Sequence, residues 1–537
     1  MAPRMMARSR WKVRKAVWDW IACIKVRKNR PVTVADLLAT CRQKDRQRIT
    51  AIPLNSVFPH IPIYNVRLAH RVPCDEKSVN FKEAVKYFFK STFFTCQVLL
   101  YALFPPMQPG LPSIDPNPNV ALRDGYTQRH RRAAARAAGR VPSRQRLRPA
   151  TLPLELQGSV DLGQLAVRGP YAGYLHRVGD DRYEWNLQGL TQYEHLDHLY
   201  HLGVRVSFRR NPSVPGLTAS QIDSALGTSK PGDAMWPLAK KLSLCAVSTH
   251  TTLVRHWNWT HLIAGESIAI ATRNALPDDH PLCRLLWPHV FGTHQSNRFG
   301  SMVQLGPGGD YGGVFSFTDR GMYRLFDDSY KAYRFSTTDP RMDAAIRGLA
   351  DAEFDLPTQQ NLEALFDVLH RHARQYIGVY YATDREVQRN EPIGQWLEEL
   401  NRLIPNGVSL SLDTLTRDSL ARLIAGILYL VTVYHEIVGA QLWNYQLWTQ
   451  AQPVRVSKDG RRESVDVYQR LVNMNYLLQV IRTPLINDFT PLALDDAGRQ
   501  AFRDFQTHLR QLQRQMEREP RAPWKLYPEA LEANINA

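Results

Sequence analysis

The stretch LARLIAGILYLVTVYHEIVGAQLWNY, residues 420–445, is nearly free of charge through its middle and is interrupted only by His435 and Glu436. A segment apolar on every side has to be covered on every side, so it reads as a buried helix of a large domain. A second stretch, TLVRHWNWTHLIAGESIAIATRNAL (252–276), has the same texture. Apolar runs at helical spacing fill 236–275, 360–380 and 415–450, and no fixed-period repeat is visible. Residues 155–210 instead give short strand-like runs with turn signals, among them GSVDLGQLAVRGPYAGY and YHLGVRVSF. The expected fold is mainly α, with a small β-containing piece ahead of the helices.

Within the second stretch, His256 and His261 stand five residues apart. On an α-helix, a residue at i+5 sits about 140° round the cylinder, too far for two side chains to share a ligand easily. A π-bulge, with its i→i+5 hydrogen bonds, brings such a pair back to one face, and π-bulges are frequent at functional sites. The spacing is therefore either accidental or the mark of a wound-out helix gripping a metal. Both histidines fall in a core helix, where a neutral imidazole needs partners for both nitrogens; a metal and an outer hydrogen-bond acceptor supply them. A lone histidine such as His435 is ordinarily a satisfied core residue, but here a pair already waits elsewhere. Three imidazoles make a nitrogen-rich site suited to iron, zinc or copper, and the absence of a nearby cysteine pair argues against structural zinc.

The chain of 537 residues carries a net charge of +18, with 44% apolar and 22% charged residues. That charge is concentrated: residues 1–50 hold 14 Lys/Arg against 3 Asp/Glu, and residues 122–150 hold 9 Arg against 1 Asp. Such blocks attract anionic lipid or nucleic acid, or are simply solvated arms. No recognised nucleic-acid motif accompanies them, and no nucleic-acid partner is expected. Trp18, Ile21 and Ile24 among basic residues outline an amphipathic helix able to lie on a membrane. The uncharged run 91–104 is short of the roughly 20 residues a spanning helix needs. It reads as a buried helix, or as one that dips into a membrane surface. Residues 105–120 are rich in Pro and Asn, and the Arg/Ala stretch after them reads as a linker or exposed helix. The expected division is a basic region at 1–150 and a catalytic domain at 151–537. Six scattered cysteines without a CxxC fit reduced thiols, hence a cytoplasmic setting, peripheral on an anionic membrane where the basic blocks engage one.

The segment WPLAKKLSLCAVSTHTTLVRHWNWTHLIAGESIAIATRNALPDDHPLCRLLWPHVFGT resembles the iron-binding segment of the lipoxygenases. Trp236, Leu238, Ala239 and Lys240 match that family's lead-in, and His256 and His261 its histidine pair. His280-Pro281, Leu285-Leu286 and Pro288-His289 match the close. Residues 376–400 resemble the stretch before the family's last histidine helix, and His435 falls where its third iron histidine stands. The resemblance runs from about 230 to 450. It implies the helical lipoxygenase catalytic domain, shortened and without the family's N-terminal lipid-binding β-sandwich. It implies one non-haem iron, with manganese the alternative, held by His256, His261, His435 and the terminal carboxylate of Ala537. It further implies hydrogen removal from a bis-allylic carbon of a polyunsaturated fatty acid or acyl chain, followed by addition of O2 to give a hydroperoxide.

Several positions depart from the pattern. The family's further histidine would fall at Thr251, with His250 one place off, and an extra residue near Gly265 lengthens the gap to His280. Gly439 stands where a weak fourth ligand is usual, and Gln441 lies one place short of an outer-shell glutamine. Ala537 replaces the usual terminal Ile. Gly300 occupies the position at which Gly rather than Ala accompanies many R-specific products, and its missing methyl would leave dioxygen room at an alternative carbon. These departures keep two other functions open: a lipoxygenase-like protein that binds lipid or a partner without turnover, and a basic surface-binding module whose histidines are structural.

Overall fold

The computed structural model describes residues 32–77 and 153–535, apart from short stretches at 157–158, 212–213 and 447–450 and most of 461–482. The basic stretches, the apolar run 91–104 and Ala537 lie outside the described residues.

Helix α1 (Val34–Arg42) opens on a capping box in which Thr33 and Asp36 satisfy each other's backbone N–H. Two short antiparallel strands follow, β1 (Ala51–Pro53) and β2 (Arg67–Ala69). Residues 154–174 form helical turns, not the strands expected from their alternation. Asp161 accepts from the Gln164 N–H, and that cap starts the turn Leu162–Leu165.

Five strands then make one antiparallel meander: β3 (His176–Gly179), β4 (Arg182–Asn186), β5 (Arg205–Asn211), β6 (Val214–Ser224) and β7 (Gly227–Ser229). Its register pairs Trp185 with Val206 and Val206 with Ile222. These side chains share one buried face, where the Trp185 and Phe208 rings meet edge to face at 5.2 Å.

The centre of the molecule is one long helix in three parts. Helix α2 (Trp236–His250) runs into a π-helix (Thr251–Gly265), which continues as α3 (Glu266–Ala275). The junction residues keep right-handed helical angles, so the chain does not break. After it come α4 (Pro281–Val290), α5 (Thr293–Gly300), α6 (Asp319–Ala332), α7 (Pro340–Ile346), α8 (Pro357–Tyr380), α9 (Glu391–Leu403) and α10 (Arg417–Tyr429). A second π-helical turn (Leu430–Tyr434) joins α10 to α11 (His435–Val438), and α12 (Asp496–Met516) closes the helical set. Helix α8 packs against both α10 and α12. The apolar span 417–442 is long enough to cross a membrane, but 94% of its most apolar window is buried inside the protein. It is a core helix.

Two hydrophobic cores flank the long helix. Leu253, Val254 and Trp257 belong to the core shared with the sheet, while Ile263, Ala264 and Ile268 belong to the core of α8, α10 and α12. Each fully buried Leu, Ile or Phe contributes about 1.5–3 kcal/mol, so the π-helix is held from both sides. Residues 33–77, on the N-terminal side of the division expected at 150, pack on the second core. Val34, Leu37 and Cys41 join it, and Asp75 and Glu76 pair with the buried Arg273 at 2.7 and 2.8 Å.

Candidate metal centre

The π-helix turns the five-residue spacing into a shared face. The His256 and His261 rings lie 4.8 Å apart, and His435 comes within 5.0 and 4.9 Å of them from α11. Their Nε2 atoms form a triangle with sides of 3.3, 3.3 and 3.1 Å. All three residues are at most 3% exposed. They are the one group of three or more potential ligands found among the described residues.

The tautomer of His261 follows from its neighbours. Asn297 on α5 donates through Nδ2 to the His261 carbonyl and to Glu266 Oε2, both at 2.7 Å. That fixes the Asn297 amide, leaving Oδ1 as the acceptor toward His261 Nδ1 at 3.1 Å. His261 therefore carries its proton on Nδ1, and Nε2 presents a lone pair to the centre of the triangle. Glu266 anchors the arrangement: Oε1 accepts from the Ala69 N–H of β2 at 2.8 Å and contacts His294 Nδ1 at 2.9 Å. Burial alone would raise the Glu266 carboxyl, but His294 and these hydrogen bonds hold it below the ordinary carboxylate range. Convergent nitrogen acceptors without a cation between them would repel, so the donor set fits a metal that takes imidazole. The two π-helical segments are what bring these nitrogens together.

The remaining sequence candidates divide. His250 stays outside the cluster; its Nδ1 meets the Tyr174 hydroxyl at 2.8 Å. Gln441 donates to the Pro523 carbonyl at 3.0 Å. His280 caps α4 by accepting from the Leu282 N–H. His289 bonds through Nδ1 to the Ala533 carbonyl. Gly439 faces the centre: a Cβ there would lie 2.6 Å from His256 Nε2. Gly300 borders no open space, because the Trp257 indole fills the place its methyl would take. Any influence of Gly300 on oxygenation would run through that indole. Ala537 lies outside the described residues, but the tail leading to it turns inward. Leu531, Ala533, Asn534 and Ile535 are fully buried, and Ile535 rests against Gly265 of the π-helix. Gly265, the extra residue in the sequence, thus makes room for the tail. Asn297 and Glu266 carry the outer hydrogen bonds, and no spacing rule singled out Asn297.

A family model described as "Lipoxygenase" matches residues 207–483, more than half of the chain. The mouse epidermal-type polyunsaturated fatty acid (12S)/(13S)-lipoxygenase is 25% identical over 227 residues, covering 39% of this chain and 34% of that protein. A chloroplastic lipoxygenase 2 of Tanacetum cinerariifolium is 30% identical over 178 residues, 31% of this chain and 20% of that one. The chain thus spans about a third or less of the length of these relatives. Among solved structures, a lipoxygenase deletion variant in complex with arachidonate superposes with a TM-score of 0.72 at 14% identity, over 94% of this chain and 81% of that one. Coral 8R-lipoxygenase gives 0.64 at 18% identity, over 72% and 68%. The mainly α architecture, with its small sheet set before the helices, is the one these structures share, and the chain belongs to the lipoxygenase family.

Proposed function

We propose that this protein is a non-haem iron dioxygenase that inserts O2 into a polyunsaturated fatty acid or acyl chain to give a hydroperoxide. The observation that carries the reading is the buried triangle of three imidazole Nε2 atoms, with the His261 lone pair fixed inward by Asn297. His256, His261 and His435 would hold the iron, with the terminal carboxylate of Ala537 compensating its charge. The metal supplies one-electron redox chemistry for removing a bis-allylic hydrogen. The chain's own residues fix the imidazole tautomer and exclude water: Trp257, Ile263 and Val438 wall the site, each at most 2% exposed. Gly439 presents no side chain that could ligate, which leaves that side of the site to another occupant.

The test is metal content of the purified protein, followed by conjugated-diene absorbance with linoleate or arachidonate. Iron with diene formation is expected. His435→Ala should lose most of the metal, and Asn297→Ala should weaken metal affinity about 10–100-fold, the usual effect of removing an imidazole's outer hydrogen bond. Full iron occupancy in His435→Ala would reject the ligand set. Gly439 also favours a second reading, a lipid-binding protein without turnover; iron without diene formation would select it. We further propose a cytoplasmic protein that reaches anionic membranes through the basic segments.

A further inference from the structure

Beside the metal centre lies a second pocket, of about 40 Å³. Its walls are the turn at 169–174, helix α7, the start of α8, and Tyr434, Ile437 and Val438 around His435. A water needs about 10–15 Å³ on this measure, so the space admits a group of two or three heavy atoms. Two guanidinium groups reach it, Arg255 and Arg347, and Asp343 is the one acid among its lining residues. Arg347 is engaged at all three nitrogens: Nε to Asp343 at 2.8 Å, Nη1 to the Leu175 carbonyl at 3.2 Å and Nη2 to Gln359 at 3.0 Å.

Arg255 is different. Its Nη2 donates to the Gly173 carbonyl at 2.8 Å, and its guanidinium lies 4.0 Å over the Tyr174 ring. Its buried Nε has no hydrogen-bond partner among the described residues. Gly173 makes the arrangement sterically feasible, since a methyl there would overlap Nη1. The neighbouring His250 imidazole, pushed down to about 3 by burial and then by Arg255, adds no charge at neutral pH. With Asp343 committed to Arg347, the lining keeps one uncompensated positive charge. A buried guanidinium in that state is a ready partner for a planar two-oxygen anion.

We infer that this pocket is a carboxylate-binding subsite, in which Arg255 receives the carboxylate of a long-chain fatty acid and the apolar wall of Leu362, Ile437 and Val438 takes its first methylenes. The fatty tail of this ligand rests on the acyl-substrate reading above; the carboxylate rests on the charge balance alone. The carboxylate belongs either to the substrate itself or to a second fatty acid bound beside it.

The test uses the metal-loaded full chain and calorimetric binding of oleate against methyl oleate, neither of which has a bis-allylic carbon to react. Oleate should bind at least about tenfold more tightly than its ester, the strength of one charge-assisted hydrogen bond. Arg255→Gln should erase that difference at unchanged metal content, and Arg255→Lys should restore most of it. Leu362→Trp, which fills the pocket from the opposite wall, should also weaken oleate, and it decides the matter should Arg255→Gln fail to fold. Equal affinities for acid and ester in the native protein, or unchanged oleate binding in both Arg255→Gln and Leu362→Trp, would overturn the subsite. The two sources separate in turnover of linoleate. Competitive inhibition by oleate, with Arg255→Gln raising KM alone, assigns the carboxylate to the substrate; non-competitive inhibition assigns it to a second fatty acid. A protein with no turnover would refute the dioxygenase reading while the oleate comparison still decides the subsite.

Discussion

At Gly300 the difference between sequence and packing comes down to one methyl group. The glycine looked like an opening for dioxygen, but the Trp257 indole occupies that volume. Trp257 also lies against His261, with ring centroids 4.7 Å apart, so pressure on the indole is transmitted to a candidate ligand. Gly300→Ala should therefore destabilise the protein by about 1–3 kcal/mol, the usual cost of overpacking a filled core. Trp257→Phe should recover part of that loss in the double variant. Thermal unfolding of the two single variants and the double one checks this, and strictly additive losses would show that the two positions do not press on each other. The indole was invisible to alignment reasoning because the contact joins residues 43 positions apart. Asn297 escaped for the same reason, while His256, His261 and His435 stood out because imidazoles inside long apolar runs are rare enough to notice.

Among the elements, the π-helix was the most legible. A five-residue spacing between two core histidines required wide winding, and the structure supplies it over Thr251–Gly265. The turns at 154–174 were the least legible: their alternating apolar residues mimic a strand, and the Asp161 cap that makes them helical is a local hydrogen bond. The strand-like run before Asn211 was read correctly because Val206 and Phe208 alternate inward on a sheet with one buried face. Gly265 links the π-helix to the buried tail. Gly265→Ala should push Ile535 out of its seat and expose the C-terminal segment. Hydrogen exchange of residues 531–535 and metal content are the readouts, with faster exchange and lower iron retention expected. Unchanged exchange would mean the tail is held by His289 and the Thr483 backbone instead.

For the molecule as a whole, buried imidazoles set the acid limit. Burial, with help from nearby positive groups in some cases, lowers His195 and His289 to about 4 and His250 and His372 to about 3. An unfolded imidazole titrates near 6.5, so below that pH the unfolded chain takes up protons that the folded one refuses. The stability these residues contribute is present above pH 6.5 and drains away between 6.5 and about 4. The melting temperature should fall across that window, and His289→Gln, whose amide still donates to Ala533 without titrating, should lessen the slope. A melting temperature constant from pH 7 to 4 would contradict this. The basic segments belong to the same scale. Attraction to an anionic surface is worth about 1 kcal/mol per Lys or Arg and is screened by salt. Deleting residues 1–31 should therefore reduce co-sedimentation with phosphatidylserine vesicles at low salt and leave neutral vesicles unaffected; equal binding to both vesicle types would remove the membrane from the proposal.

The three imidazoles sit at the seam between two packed cores, on helices whose ligand residues are 174 and 179 positions apart in the chain. A metal enclosed there has no surface route out, so its departure must wait for the helices to separate. Its exchange rate with a chelator would then report how often the molecule breathes, and would level off as chelator concentration rises. Two variants with the same affinity for metal could differ widely in how long they keep it. In this protein the lifetime of the loaded state is a property of the cores on either side of the π-helix.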